Sequence, residues 1–340
     1  MAVFSLSLLR HTMRTKHWLA LAGIALSIGL LMAVFAKLDW VAFGKTLQHT
    51  DFTIILFVWG LLAMNIAARS FRWLIITGRP LNEFSAFWEA GNIGYLGNTI
   101  YPARAGEALR IIAIHHFVKL PLGHALSSSF IDRLLDIFIL GLLAILVVTI
   151  HGGHLLNPNL INWLPYCVAG GVFSLGMIVH FAQPIADWIE TRTWQGKWRQ
   201  KFQRLLHQAV DGLKTLKRPG QLSMILLITL GVYSLDAFTR LQIMHAMGWD
   251  LPFDAALTVI VFVVAGSLLP SAPGYVGIYQ VACVMALGFY HVSTTDAVAF
   301  SLIMQLSEFI VIISQGLISI SLRGFNLTNA RKEAEYSNQS

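Results

Sequence analysis

Long apolar runs, separated by short polar or Pro/Gly-rich interruptions, recur from the first residues of the chain almost to its end. A membrane-crossing helix needs about 20 mostly apolar residues to cover roughly 30 Å of hydrocarbon. Six stretches meet that length, at residues 17–36, 52–77, 130–150, 163–182, 222–247 and 297–322. The first exceeds the apolar core of a secretory signal, about 7–15 residues, and no small-x-small site closes it, so it is expected to be retained.

Two further apolar regions are interrupted. Residues 84–101 run into Pro102-Ala103-Arg104-Ala105-Gly106-Glu107 and resume as a helical run to 118. Residues 255–269 run into Pro270-Ser271-Ala272-Pro273-Gly274-Tyr275-Val276-Gly277 and resume over 278–290. Each reads as two short helices around a break. Broken backbone survives at membrane depth only where protein or a wet cavity satisfies its polar groups. The expected fold is all-α: one integral-membrane domain over 1–340, with six full transmembrane helices and two broken, re-entrant hairpins. Its parts are a first half (17–150), a connecting span and cytosolic helix (151–221), a second half (222–322) and a tail (323–340). Reading the 84–118 region as full spans would preserve the same orientation.

Composition reinforces the pattern. Of 340 residues, 56% are apolar and 12% charged, against about 25% charged in ordinary soluble domains, and the mean hydropathy is +0.65. The cysteines, Cys167 and Cys283, lie in apolar stretches and suggest neither a disulfide framework nor a metal site. No cofactor is expected.

The net charge of +7 is placed for a membrane surface, not for nucleic acid. Arg10, Arg14, Lys16, Arg79, Arg323, Arg331, Lys332 and eight further basic residues over 184–220 fall on one side, while the other has Lys37 and Lys45. Lysine and arginine accumulate on cytoplasmic loops, which places both termini in the cytosol of a bacterial inner membrane. Between the fourth and fifth spans, Trp198, Phe202, Leu205, Leu206, Ala209, Leu213 and Leu216 recur at helical spacing among basic residues. Such a helix suits an anionic leaflet, or serves as a solvated connector packed on the spans.

The two halves echo one another. Arg72 precedes Pro102 by 30 residues, as Arg240 precedes Pro270, and the offset of 168 also carries Gly106 onto Gly274. Inverted repeats with broken helices are one way to build a transporter whose site lies at the repeat interface.

Ionic residues within the spans are the candidate chemistry, because a charge near the bilayer centre costs roughly 3 kcal/mol on insertion scales. Asn65, Arg69 and Arg72 share one helical face, as do Tyr233, Asp236 and Arg240. Ser129, Asp132 and Asp136 line another, with Arg133 beside them, and Ser301, Gln305, Glu308 and Gln315 run down the last span. Glu107 and Arg110 follow the first break. On the plainer alternative, Arg69, Arg72 and Arg133 lie near the cytosolic interface and snorkel, and Asp236 and Arg240, four apart, merely neutralise each other. As a set, arginines beside broken helices suit a phosphate, through planar paired donors and the free N–H groups of helix N-termini.

The run Asn98-Thr99-Ile100-Tyr101-Pro102-Ala103-Arg104-Ala105-Gly106-Glu107-Ala108-Leu109-Arg110 resembles the P-x-R-x-G-E-x-x-R element of a flippase-like family named for the transmembrane region of lysylphosphatidylglycerol synthases. Asp132-Arg133-Leu134-Leu135-Asp136 resembles its E/D-R-x-x-D element, and Ser271 to Gln280 its late P-G-G-x-G-x-x-E element. The resemblance covers most of the chain in order. Tyr275 stands where the family commonly has Gly, and Gln280 where it commonly has Glu, which removes an ionisable group there. Only 18 residues follow Leu322, so the translocating half without a synthase domain is expected. The resemblance implies movement of amphiphilic lipids between leaflets: aminoacylated phospholipids, polyprenyl-phosphate-linked sugars or hopanoid-type lipids.

The leading expectation is a lipid flippase or transporter, not an enzyme. Its anionic-lipid site is expected to comprise Arg72, Arg104, Glu107, Arg110, Asp132, Arg133, Asp136, Asp236, Arg240, Pro273, Gly274, Gln280 and Glu308. Glu107, Asp132 and Glu308 are the candidates for proton exchange. One alternative is a membrane enzyme on a lipid phosphate, since Asp132 and Asp136 lie one turn apart, as magnesium-binding carboxylates would. Another is a non-transporting scaffold for a glycosyltransferase or lipid-synthesis partner.

Overall fold

The computed structural model describes residues 29–36, 38–101, 105–150, 219–267 and 272–325, with scattered positions between 170 and 208. The span expected over 163–182, the basic helix over 197–217, most of the first span, and Pro102–Arg104 and Pro270–Ser271 of the two breaks lie outside those residues, wholly or largely. The described chain contains α1 (Trp40–His49), α2 (Phe52–Thr77), α3 (Phe84–Ile100), α4 (Gly106–Val118), α5 (Leu122–Ile150), α6 (Pro219–Ala246), α7 (Phe253–Gly266), α8 (Ile278–Gly288) and α9 (Thr294–Arg323). No strand occurs among the described residues. Residues 29–35 are also helical.

Of these, α2, α5, α6 and α9 are long and apolar enough to cross a membrane. Their ends follow local chemistry. The Asp51 carboxylate caps α2 by accepting from Thr53 N–H at 2.8 Å, and Gly78 at φ 66° ends it. Ser293 caps α9 by accepting from Asp296 N–H at 3.1 Å, and Gly324 at φ 56° ends it. These positive φ values favour glycine because a Cβ would crowd the neighbouring carbonyl. Helix α1 was not anticipated: its apolar stripe is short, but Asp39 caps it through Val41 and Ala42 N–H. Thr46 fastens it to the start of α9 by donating to Asp296 at 2.7 Å.

Helices α2 and α6 run antiparallel side by side. Asp51 N–H donates to Ala246 O at 2.7 Å at one end. Gln221 donates to Ile75 O at 3.0 Å at the other. Between them, buried Asn65 donates to Val232 O at 2.8 Å.

The two interrupted regions each fold back on themselves. Close backbone approach closes the α3–α4 hairpin: a Cβ on Gly106 would lie 1.9 Å from Gly94 O, and one on Gly97 would meet Gly106 Cα at 2.8 Å. The open end of this hairpin lies where α2 and α9 finish. There Arg79 reaches Val118 O at 3.4 Å, Phe117 packs on Phe325 with ring centres 5.7 Å apart, and Arg323 pairs with Glu89. The α7–α8 hairpin pairs Gly266 with Ile278 near its tip and Asp254 with Tyr290, at 2.7 Å, near its mouth. That mouth lies where α6 finishes and α9 begins, with Trp249 stacked on Phe300. The two hairpins therefore open at opposite ends of the bundle.

Element for element, the second half repeats the first. Helices α2 and α6 begin at 52 and 219, α3 and α7 at 84 and 253, α4 and α8 at 106 and 278, and α5 and α9 at 122 and 294. The separations of 167 to 172 residues bracket the 168 read from Arg72 and Arg240. The core gathers α2, α6, α7, α8 and α9 around Val58, Val232, Ile260 and Phe300, and a smaller cluster seats α3 and α4 on the end of α2. Outside it, the long helices present large apolar side chains, Leu56 at 62% exposure, Leu227 at 69% and Leu322 at 67%. So many large apolar side chains exposed on span-length helices suit a non-aqueous surrounding.

Gly106→Ala should lower the unfolding midpoint in detergent, because overpacking typically costs about 1–3 kcal/mol and the obstructing atom here is backbone. Gly60→Ala, with nothing within 4 Å of its Cβ, should leave the midpoint unchanged. Equal behaviour of the two variants would contradict the glycine-packed hairpin.

Candidate functional site

Helix α2 brings Arg72 into the interior with 0% exposure. A guanidinium cannot be deprotonated in a protein, so burial demands anionic partners. Helix α5 supplies them one turn apart. Arg72 Nη2 lies 2.7 Å from Asp132 Oδ1 and 2.7 Å from Asp136 Oδ1, Nε donates to Asp132 at 2.9 Å, and Nη1 reaches Thr229 of α6 at 3.4 Å.

The same carboxylates gather further arginines. Arg110, on α4 just past the first break, contacts Asp132 Oδ2 at 3.3 Å, donates to Ser129 at 2.5 Å and stands 4.8 Å over the Trp73 ring. Trp73 is itself held by donating to Ser128 at 3.0 Å. Arg133 reaches Asp132 at 3.0 Å, Asp136 at 3.2 Å and Glu107 at 3.7 Å. Arg69 lies 3.7 Å from Asp136, donates to Asn65 at 2.8 Å and covers the Tyr233 ring at 5.3 Å. Arg110 Nε is 2.9 Å from Glu107, an ion-pair contact whose angle makes no hydrogen bond. Exposure is graded: Arg72 and Asp132 are sealed, whereas the Arg133 and Glu107 side chains are 32% and 28% exposed. Those two form the accessible rim.

A second group occupies the other half. Arg240 pairs with Asp236 on its own helix and lies 3.8 Å from Glu308 of α9, which also accepts from the Tyr279 hydroxyl at 3.4 Å. Arg69 stands within electrostatic range of both Asp136 and Asp236, so the two groups adjoin. Asp136 is the fifteenth residue of α5 and Glu308 the fifteenth of α9. Arg72–Asp136 and Arg240–Glu308 are thus the same pair, repeated in the two halves.

Pro273, Gly274 and Gln280 do not join this ionic network; they build the second break. Gly274 at φ 71° lies against the Phe309 ring, 2.6 Å from where a Cβ would sit. Tyr275 also has a positive φ, 60°, which explains why glycine suits that position in sequences resembling this one. Gln280, fully buried, accepts from Gly277 N–H at 2.7 Å and donates to Gln305 at 2.7 Å, and Gln305 donates to Gly274 O at 2.8 Å. A glutamate at 280 would keep the first bond and lose the second donor. Arg104 lies outside the described residues. Trp73, Ser128, Thr229 and Tyr279 complete the site without having been singled out from sequence; Tyr279 sits inside the third motif, the one signal that pointed near it.

The model of the family described as the lysylphosphatidylglycerol synthase TM region matches residues 20–316. The chain belongs to that family. It is accordingly a multi-pass membrane protein, as its long apolar helices indicate. The family member is also similar to a protein named glycosyltransferase AglD, from Haloferax volcanii, at 23% identity over 274 residues. The match takes in 71% of this chain and 44% of that protein, so this chain spans less than half of its relative's length. No solved structure matches the chain.

Removing one partner of a sealed ion pair costs about 3–5 kcal/mol, because the remaining charge is stranded. Arg72→Ala should show a loss of that size on denaturant unfolding in bicelles. Arg133→Ala, at the exposed rim, should lose no more than about 1 kcal/mol. A small loss for Arg72→Ala would contradict the sealed arrangement.

Proposed function

We propose that this family member moves an anionic amphiphilic lipid between the leaflets of a bacterial cytoplasmic membrane. The lipid would be a phospholipid, a polyprenyl-phosphate-linked lipid or a hopanoid-type lipid. The observation that carries the reading is the ionic network beside the first helix break, where, among the described residues, Arg69, Arg72, Arg110 and Arg133 outnumber Glu107, Asp132 and Asp136 by one. Arg72 is saturated and acts as the pin. The Nε–H groups of Arg110 and Arg133 face Glu107 at 2.9 and 3.7 Å in ion-pair contacts without hydrogen-bond geometry, and a phosphate oxygen would compete with that carboxylate for these guanidinium groups. Acyl tails remain in hydrocarbon while the headgroup passes this polar groove, so no sealed pore is needed.

The accompanying topology has six spans, two re-entrant hairpins and both termini in the cytosol. The opposite openings of the hairpins and the one-sided distribution of basic residues support it. The basic segment between the fourth and fifth spans then faces the anionic cytosolic leaflet.

A second reading takes its support from the relative's name: a membrane module serving a glycosyltransferase or a lipid-synthesis partner without transporting. A magnesium-dependent reaction at Asp132 and Asp136 fits less well, because each carboxylate already faces several guanidinium groups, whose charge opposes a divalent cation.

Proteoliposomes containing the full chain should transfer labelled anionic lipid between leaflets. Removal of one charge-assisted hydrogen bond loses about 1.5–3 kcal/mol, so Arg110→Ala or Arg133→Ala should slow transfer roughly tenfold or more with normal membrane insertion. Chelation of divalent ions should change nothing. Absence of transfer across all three lipid classes, with activity appearing only when a glycosyltransferase partner is added, would replace this reading with the second.

A further inference from the structure

We propose that Glu308 is the proton-exchanging group of the network, taking up a proton when an anionic headgroup binds the neighbouring arginines. The coupling rests on the headgroup reading; the identity of the group rests on where Glu308 sits and what it touches.

Glu308 is the loosest-held of the five carboxylates. Asp132 and Asp136 have guanidinium contacts at 2.7 Å, Glu107 has one at 2.9 Å, and Asp236 is tightly paired with Arg240. Among the described residues Glu308 has only Arg240 at 3.8 Å and the Tyr279 hydroxyl at 3.4 Å. The corresponding pair in the first half, Arg72–Asp136, is closed. The difference has a local cause: Arg240 is already engaged by Asp236 four residues earlier on α6, whereas position 68, the equivalent place on α2, is alanine.

Position sharpens the contrast. Glu308 is the middle residue of the 30-residue α9, about 22 Å from either end at roughly 1.5 Å per residue. Its side chain is 26% exposed, so it is not sealed as Arg72 and Asp132 are. An ionised carboxylate held this weakly at membrane depth is costly, and neutralisation removes the cost. The ionisable groups facing it are Arg240 and Asp236 from α6, Tyr279 and Cys283 from α8, and Arg69 from α2. Helices α1 and α3 meet α9 elsewhere, Thr46 at Asp296, and Leu96, Asn92 and Glu89 at Gly316, Ser319 and Arg323. Gln280 and Gln305, one turn away, are neutral.

Charge balance supplies the coupling. Among the described residues the joined groups carry five arginines (69, 72, 110, 133, 240) and five carboxylates (107, 132, 136, 236, 308), which cancel when all are ionised. An anionic headgroup at Arg110 and Arg133 adds a negative charge to a network whose two groups Arg69 joins. One proton on the Glu308 carboxylate restores neutrality. Linkage makes the effect reciprocal: protonation of Glu308 favours headgroup binding.

Infrared difference spectroscopy of the full-length protein in nanodiscs, titrated across the neutral range, should show a deuterium-sensitive carbonyl band of a protonated carboxyl. Glu308→Gln should remove it and Glu107→Gln should keep it. A band that survives Glu308→Gln, or no titrating carboxyl band, overturns the assignment whether or not lipid is transported. Adding short-chain phosphatidylglycerol to weakly buffered protein should give uptake of about one proton per lipid bound, lost in Glu308→Gln. Binding without uptake overturns the coupling. Failure of the wild-type protein to bind the lipid at all counts against the headgroup reading, and the infrared result still decides Glu308.

Discussion

The structure depends on a guanidinium that cannot lose its charge and has no route to water. Arg72 is sealed between Asp132 and Asp136, and this one requirement fixes α2 against α5 in a single register. The second oxygen of Asp132 then takes Arg110, which sets α4 in place, and the hairpin behind it follows through Gly94, Gly97 and Gly106. A buried ion pair gives little net stability over a well-packed apolar pair, because desolvation of both charges offsets their attraction. In hydrocarbon, however, every alternative packing strands a charge. The pair therefore serves to select one arrangement, and leaves the less buried members of the network, Arg133 and Glu107, as its accessible face.

The two halves use one plan with opposite outcomes. In each, an arginine late on the first long helix faces an acid at the fifteenth residue of the last, and a glycine-bearing break lies between. The first-half pair is closed and carries an excess of positive charge around it. The second-half pair is open and carries an excess of negative charge, because Asp236 competes for Arg240. Opposite end-openings of the hairpins bring these unlike groups together near the middle of the bundle, with Arg69 between them.

Much of this was legible in the sequence, and the physical reason is period. Apolar stretches of span length gave α2, α5, α6 and α9 to within a few residues, except that α5 begins at Leu122, eight residues before the expected 130, because the polar Ser127-Ser128-Ser129 run interrupts its hydropathy without interrupting the helix. Proline and glycine marked both breaks, and the offset between Arg72 and Arg240 anticipated the repeated helix order. Spacing on one face grouped Asp132 with Asp136 and Asn65 with Arg69 and Arg72. Spacing four apart also paired Asp236 with Arg240 on one helix. What such spacing does not carry is the partner across helices: that Arg72 takes two acids of α5, or that Gln280 belongs to the backbone of the break and not to the ionic cluster. Trp73 was hidden because its apolar bulk conceals a role as floor for Arg110. Helix α1 was hidden because its ten residues are too few to cross a membrane, and its start depends on one capping carboxylate.

The central claim, that charges anchored around Arg72 form a foothold for an anionic headgroup inside an apolar surround, is tested most directly by native mass spectrometry of the protein purified with its lipids. The account predicts a bound lipid with an anionic headgroup, retained through gentle activation and depleted when Arg110 and Arg133 are replaced together by alanine. Co-purified lipid lacking an anionic group, or anionic lipid held equally well by the doubly substituted protein, would contradict it.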